Sequence, residues 1–245
     1  MHASTDGSNR PPDRRSHKGR GLLLVLLVVI ACSIPEAALA HGVSKSDASF
    51  LTGNQGSAWL AFLYLGAKHM VTGYDHLLFL VGVIFFLYRL KDVAIYVSLF
   101  TVGHSITLLA GVLGGIHANA YIVDAIIGLS VVYKAFDNMG GFERFLGVQP
   151  NTKAAVAIFG LFHGFGLATK LQEINLSPEG LVTNMLSFNI GVEIGQLLAL
   201  SAILIALTAC RRHTSFLRHA FVTNTLLMIG GFLLIGYQLT GYFTQ

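Results

Sequence analysis

Two histidines and an aspartate stand close together at the edge of a strongly apolar stretch, in the pattern His69-x5-Asp75-His76. The segment that contains them reads KHMVTGYDHLLFLVGVIFFLY. Polar groups at membrane depth are costly, so they usually face a protein interior and mark a pathway or a site. Imidazole and carboxylate are also a ligand set that suits nickel, cobalt and zinc. The residue types and their spacing therefore predict a metal site in a membrane protein.

Polar side chains interrupt later apolar stretches in the same way. FTVGHSITL contains His104, FGLFHGFGLATK contains His163, and SFNIGVEIGQ contains Asn189, Glu193 and Gln196 at helical spacing. A structural role is the alternative for each of these polar residues, either as a hydrogen-bonding group between helices or as a hydrated group at the membrane surface. The predicted metal ligands are His69, Asp75, His76, His104, His163 and Glu193, and the additional candidates are Asp124, Asn189 and His41.

The composition is that of a membrane protein. Of the 245 residues, 53% are hydrophobic and only 11% are charged, whereas soluble domains carry about 25% charged residues. The net charge of +4 does not indicate nucleic acid binding, because the basic residues concentrate at the N-terminus and in short loops between apolar runs. We therefore expect a lipid bilayer as the surroundings of the chain and no nucleic acid partner.

The apolar runs predict an all-α fold, a polytopic membrane helix bundle with about six transmembrane helices within residues 58–245. Turn signals separate them. The predicted helices are 74–90, 93–114, 119–136, 153–170, 181–209 and 218–243, and the preceding segment 57–70 is interpreted as a half-helix or an interfacial entry.

Residues 1–40 resemble a secretory signal peptide, with a basic region, the apolar run GLLLVLLVVIA and a small-x-small cleavage site that ends at Ala40. Cleavage there would make His41 the new N-terminus and leave residues 41–57 as a short periplasmic segment. Lipoprotein processing before Cys32, or retention as an anchor, is the alternative. Since only Cys32 and Cys210 are present, any metal must be held by nitrogen and oxygen.

The loop charges predict the orientation. With the N-terminus outside, the inner loops contain eight basic residues and the outer segments contain three, as the positive-inside rule requires. The inner set is Arg89, Lys91, Lys134, Arg144, Lys153, Arg211, Arg212 and Arg218, and the outer set is Lys45, Lys68 and Lys170. This predicts a protein of the bacterial inner membrane with both termini periplasmic, and it brings the polar side chains of five helices to one level in the outer half of the bilayer.

The pattern His69-x5-Asp75-His76 followed by LLFLVG, together with GHSITL, FHGFG and FNIGVEIGQ, resembles the HupE/UreJ family of bacterial membrane proteins. The resemblance runs from about residue 57 to 243, and GYDHLLFL points to a divergent branch. It implies a permease for nickel or cobalt that supplies hydrogenase and urease maturation, with His69, Asp75 and His76 as motif residues. Zinc is the further metal that the ligand types allow, and a homo-oligomer or metalloenzyme-maturation proteins are the implied partners.

Two other functions fit the same residues. A membrane-embedded metal-dependent hydrolase would use the histidines to hold zinc with an open position for water. An accessory subunit would use the buried polar groups only to join helices. A permease needs a route to the inner face, whereas a hydrolase needs only a cavity that opens outward.

Overall fold

The computed structural model describes residues 49–50, 53, 58–173, 178–212 and 214–244. The predicted signal peptide, residues 1–40, and the candidate ligand His41 lie outside these ranges. Within them the chain is helical and has no strand. The helices are α1 (Trp59–Thr72), α2 (Tyr74–Ile84), α3 (Leu90–Gly114), α4 (Ala120–Asn138), α5 (Thr152–Gln172), α6 (Leu181–Arg211) and α7 (Phe216–Thr244), and Phe142–Leu146 forms a π-helical turn.

Four of these helices, α3, α5, α6 and α7, are long and apolar enough to cross a membrane. This confirms the all-α membrane bundle, while the number of six crossings stays a prediction. The first predicted helix, 74–90, is wrong at its C-terminal end, because α2 ends at Ile84. There the Arg211 guanidinium donates to the carbonyls of Ile84, at 2.5 Å, and Phe85, at 2.7 Å, and satisfies groups that a longer helix would use internally.

Helices α1 and α2 form one interrupted element that runs parallel to α6. At one end the Ala58 N–H donates to the Asn184 side chain at 3.0 Å, and at the other Arg211 caps α2. We call these the Trp59 end and the Arg211 end of the bundle. Gly73 separates the two helices with an extended backbone, φ −71° and ψ 98°. The segment predicted as 57–70 is thus a half-helix packed lengthwise on α6.

This arrangement corrects the predicted depth of the His69-x5-Asp75-His76 trio. A first membrane helix that begins at residue 74 predicts that the trio lies at its outer end. Since α1 continues the element toward the Trp59 end, the trio lies at the break, inside the bundle.

Glycines bring α3 and α5 into close parallel contact. A Cβ at Gly103 would lie 2.6 Å from the Ala157 carbonyl oxygen, and one at Gly160 would collide with the backbone of Phe100. Small residues allow this approach between membrane helices. The contact fixes the register of the two helices, so that His104 and His163 come to the same level.

We expect Gly160→Ala to lower thermal stability, at a cost of about 1–3 kcal/mol from overpacking, although alanine is the better helix former. Gly236→Ala is the matched control, because a Cβ there meets nothing within 4 Å. Thermal unfolding of the detergent-solubilised variants measures the difference. Equal melting temperatures would contradict a close α3–α5 contact at this glycine.

Candidate metal centre

Three buried side chains converge where α2 begins. Asp75 and His76 in the first turn of α2 and His163 in the middle of α5 each offer one ligand atom, and these atoms all lie within 4.8 Å of one another. Asp75 and His76 are 1% exposed and His163 is 0% exposed. Two imidazole nitrogens and a carboxylate oxygen at this separation can bind one divalent ion.

Two more imidazoles surround this group, with His76 at the centre. The His76 ring centroid lies 5.0 Å from that of His69, 5.1 Å from that of His163 and 6.2 Å from that of His104. His104 is fully buried, whereas His69 is only half-buried. Four helices, α1, α2, α3 and α5, thus contribute four imidazoles and one carboxylate.

The break at Gly73 brings His69 and His76 together. In a continuous helix, residues seven apart are separated by about 10 Å along the axis, yet these two ring centroids are 5.0 Å apart. Gly73 also leaves room for the ligands, because a Cβ there would lie 2.7 Å from His76 Nδ1 and 3.1 Å from Asp75 Oδ1. The feature of the sequence that allows this interruption is the glycine between the two histidines, since glycine is a poor helix former.

Hydrogen bonds orient two of the imidazoles for metal binding. His163 Nδ1 lies 2.7 Å from the Phe159 carbonyl oxygen, which only accepts, so Nδ1 carries the proton and Nε2 presents the lone pair. His76 Nδ1 lies 3.1 Å from Asp75 Oδ1, which favours the same tautomer. A partner on the second ring nitrogen that fixes ring and tautomer is typical of metal-ligating histidines.

The local charge also suits a divalent cation. With neutral imidazoles, the group of Asp75, His76 and His163 has one negative charge, from Asp75. The first turn of α2 stabilises that carboxylate when no cation is present, because a helix N-terminus has partial positive charge. Asp124, the nearest acid on α4, is neutralised by Lys170 at 3.4 Å. The charges of this group would therefore compensate a bound dication only in part.

Besides His69 and His104, whose rings surround the three-residue group, three further candidate ligands of the described chain lie outside it. Asp124 is buried in its ion pair with Lys170 at the Trp59 side of His163. Asn189 is buried on α6, where its amide donates to the Met185 carbonyl at 3.1 Å. Glu193 is exposed on α6. The structure brings none of the three into the group that contains His76.

The position of Glu193 follows from how α6 packs on α1. Gly191 and Gly195 form the contact face, since a Cβ at either would meet the backbone of α1. With 100° of rotation per residue, Glu193 is turned about 180° from the centre of that face, and Asn189 and Gln196 lie nearer to it. The i, i+4, i+7 spacing places Asn189, Glu193 and Gln196 on one stripe of α6. Within that stripe Glu193 lies at the exposed edge, beside Ile190 and Ile194, which are also exposed.

Glu193→Gln is therefore expected to change the affinity for Ni²⁺ by less than about threefold, because the substitution leaves all four imidazoles and Asp75 in place. Calorimetric titration of purified protein measures this. A loss comparable with that of His163→Ala would mean that the carboxylate reaches the cation after all.

Comparison with known proteins agrees with the resemblance seen in the sequence. The family model described as "HupE / UreJ protein" matches residues 45–245, which include all seven described helices. No curated protein and no solved structure matches the chain significantly. The family match covers most of the sequence and the whole of the candidate metal centre, and the chain belongs to the HupE/UreJ family.

Proposed function

We propose that this protein is a permease for a divalent transition-metal ion, with nickel as the favoured cargo and cobalt as the alternative. The observation that carries the proposal is the buried group of Asp75, His76 and His163 at the break between α1 and α2. Family membership supports a membrane protein related to nickel or cobalt.

The donor set suits a cargo that must be captured and then released. Imidazole nitrogens bind nickel and cobalt well, and the one carboxylate compensates part of the charge when the ion leaves water. A permeation site must be strong enough to fill and weak enough to empty. His69, half-buried at the Trp59 side of His76, is placed to exchange ligands with an arriving ion.

The distribution of basic residues supports entry from the periplasm. The connections α2–α3, α4–α5 and α6–α7 meet the Arg211 end, and together with the adjoining helix ends they contain all eight basic residues of the predicted inner set. The positive-inside rule then assigns the Arg211 end to the cytoplasm. In the bacterial inner membrane this orientation gives import, and the imported metal would serve the maturation of metalloenzymes.

Accumulation of radiolabelled Ni²⁺ tests the proposal in cells that lack their own nickel importers. Cells that express the protein should accumulate more Ni²⁺ than cells with an empty vector, and unlabelled Co²⁺ or Zn²⁺ should compete according to the selectivity of the site. His117→Ala is the control variant, because His117 is exposed in the α3–α4 connection. Accumulation equal to the vector, at verified membrane levels, would contradict nickel import.

A further inference from the structure

Three histidines are buried in the described part of the chain, and each has a phenylalanine about one helical turn closer to the Arg211 end. The pairs are His76 with Phe79, His104 with Phe100, and His163 with Phe159. Helix α2 runs toward that end and α3 and α5 run away from it, so the phenylalanine follows the histidine in α2 and precedes it in the other two. Residues three or four apart lie on one helix face. The phenylalanines therefore form a second level beneath the imidazoles.

Ring contacts join the two levels. The Phe79 centroid lies 5.3 Å from that of Phe100 and 6.2 Å from that of Phe159. Toward the imidazoles, the His163 ring lies 4.8 Å from Phe100 and 5.5 Å from Phe79. Phe79 and Phe100 are each 1% exposed. We call Phe79, Phe100 and Phe159 the aromatic layer.

We propose that the aromatic layer is the inner closure of the metal site and excludes hydrated ions from the Arg211 side until it rearranges. This inference rests on the proposed function and extends it to the residues that gate release. Closely spaced rings offer no ligand oxygen or nitrogen to a hydrated cation, and hydrophobic constrictions gate channels by excluding water. An ion on Asp75, His76 and His163 can therefore exchange only toward the Trp59 end in this conformation.

Helix α2 is the element that links release to opening. It is only eleven residues long, from Tyr74 to Ile84, and it contains the ligands Asp75 and His76 as well as Phe79. Gly73 separates it from α1. A rotation or tilt of α2 about this break would move two ligands and one ring of the closure together, so that loss of coordination and opening of the layer occur in one step.

Thiol labelling tests the closure without relying on metal movement. The reporter is His104→Cys in the full chain with Cys32→Ser and Cys210→Ser, treated with a membrane-impermeant thiol reagent on each membrane face in turn. Lys153→Cys, exposed in the first turn of α5, and His117→Cys, exposed in the α3–α4 connection, identify the Arg211 and Trp59 faces. In the parent, labelling from the Arg211 face should be the slower of the two or absent.

Adding Phe79→Ala should accelerate labelling from the Arg211 face by about tenfold or more, because removing the ring opens a wettable gap. Phe85→Ala is the matched control, since Phe85 is also buried, adjoins the C-terminal end of α2 and lies outside the layer, stacked on Phe216. It should leave labelling unchanged. If the Phe79 variant does not fold, Phe100→Ala replaces it.

Equal labelling of the parent from both faces, or labelling that no layer variant changes, would overturn the closure. Failure of the closure can be distinguished from failure of the proposed nickel permease. Should labelling behave as expected while the unaltered protein accumulates no Ni²⁺, the closure stands and the nickel permease fails. Should Ni²⁺ accumulate while labelling is equal from both faces, the permease stands and the release gate lies elsewhere.

Discussion

Replacing His76 by alanine is expected to reduce the affinity for Ni²⁺ by on the order of 100-fold or more and to abolish accumulation, since even partners of ligands cost 10–100-fold. His76 contributes one of the three ligand atoms within 4.8 Å of each other, and its ring lies nearest the middle of the four imidazoles. Calorimetric titration of the detergent-solubilised protein gives the affinity, and radiolabelled Ni²⁺ gives the accumulation.

His117→Ala controls for the loss of a histidine outside the site and should match the unaltered protein in both measurements. The membrane level and melting temperature of His76→Ala need to be compared with this control, so that a folding defect is not read as a loss of ligand. A well-folded His76→Ala variant with undiminished affinity would exclude this imidazole as a ligand.

Gly73→Ala should be nearly as damaging to accumulation, although it adds only a methyl group. The new Cβ would lie 2.7 Å from His76 Nδ1 and 3.0 Å from the His69 carbonyl oxygen. The imidazole must move, and its hydrogen bond to Asp75 is lost or lengthened. Alanine also favours a continuous helix by about 1 kcal/mol over glycine, which would draw His69 away from His76. We expect accumulation to fall by on the order of tenfold or more, because ligand geometry within about 0.5 Å matters.

The stability readout separates this effect from general damage. Gly73→Ala should lower the melting temperature less than Gly160→Ala does, because the atom nearest to its new Cβ belongs to a side chain that can turn, whereas at Gly160 it belongs to a helix backbone. If cells with Gly73→Ala accumulate as much Ni²⁺ as cells with the Gly236→Ala control, then the missing side chain at Gly73 is not what allows Asp75 and His76 to converge.

The cost of placing polar groups in an apolar helix was enough to predict part of the candidate metal centre. That cost singled out Asp75, His76, His104 and His163, which the structure brings together. The energetic cost of a polar group in an apolar helix does not reveal which side of that helix faces the protein interior. The residue type and spacing predict Glu193 as a ligand. In the structure, however, the glycines of α6 pack against α1, and Glu193 lies on the opposite, exposed side of the helix.

The phenylalanines beneath the site had no signal of their own, since phenylalanine is ordinary in an apolar run. Only the direction of each helix shows that Phe79, Phe100 and Phe159 lie on the same side of their histidines. The parallel contact of α3 with α5 was equally hidden, because it depends on close approach at Gly103 and Gly160 rather than on hydrophobicity. The prediction also ended α2 too late, since the cap on Ile84 comes from Arg211, far away in sequence.

Ni²⁺ flux through the purified protein, in liposomes that enclose a nickel-sensitive dye, tests most directly whether the ion passes through this site. We expect saturable flux for the unaltered protein and for His117→Ala, and flux no higher than that of empty liposomes for His76→Ala and for His163→Ala. Flux that is absent from the unaltered protein, or that persists in either His76→Ala or His163→Ala, would contradict transport through the site formed by Asp75, His76 and His163.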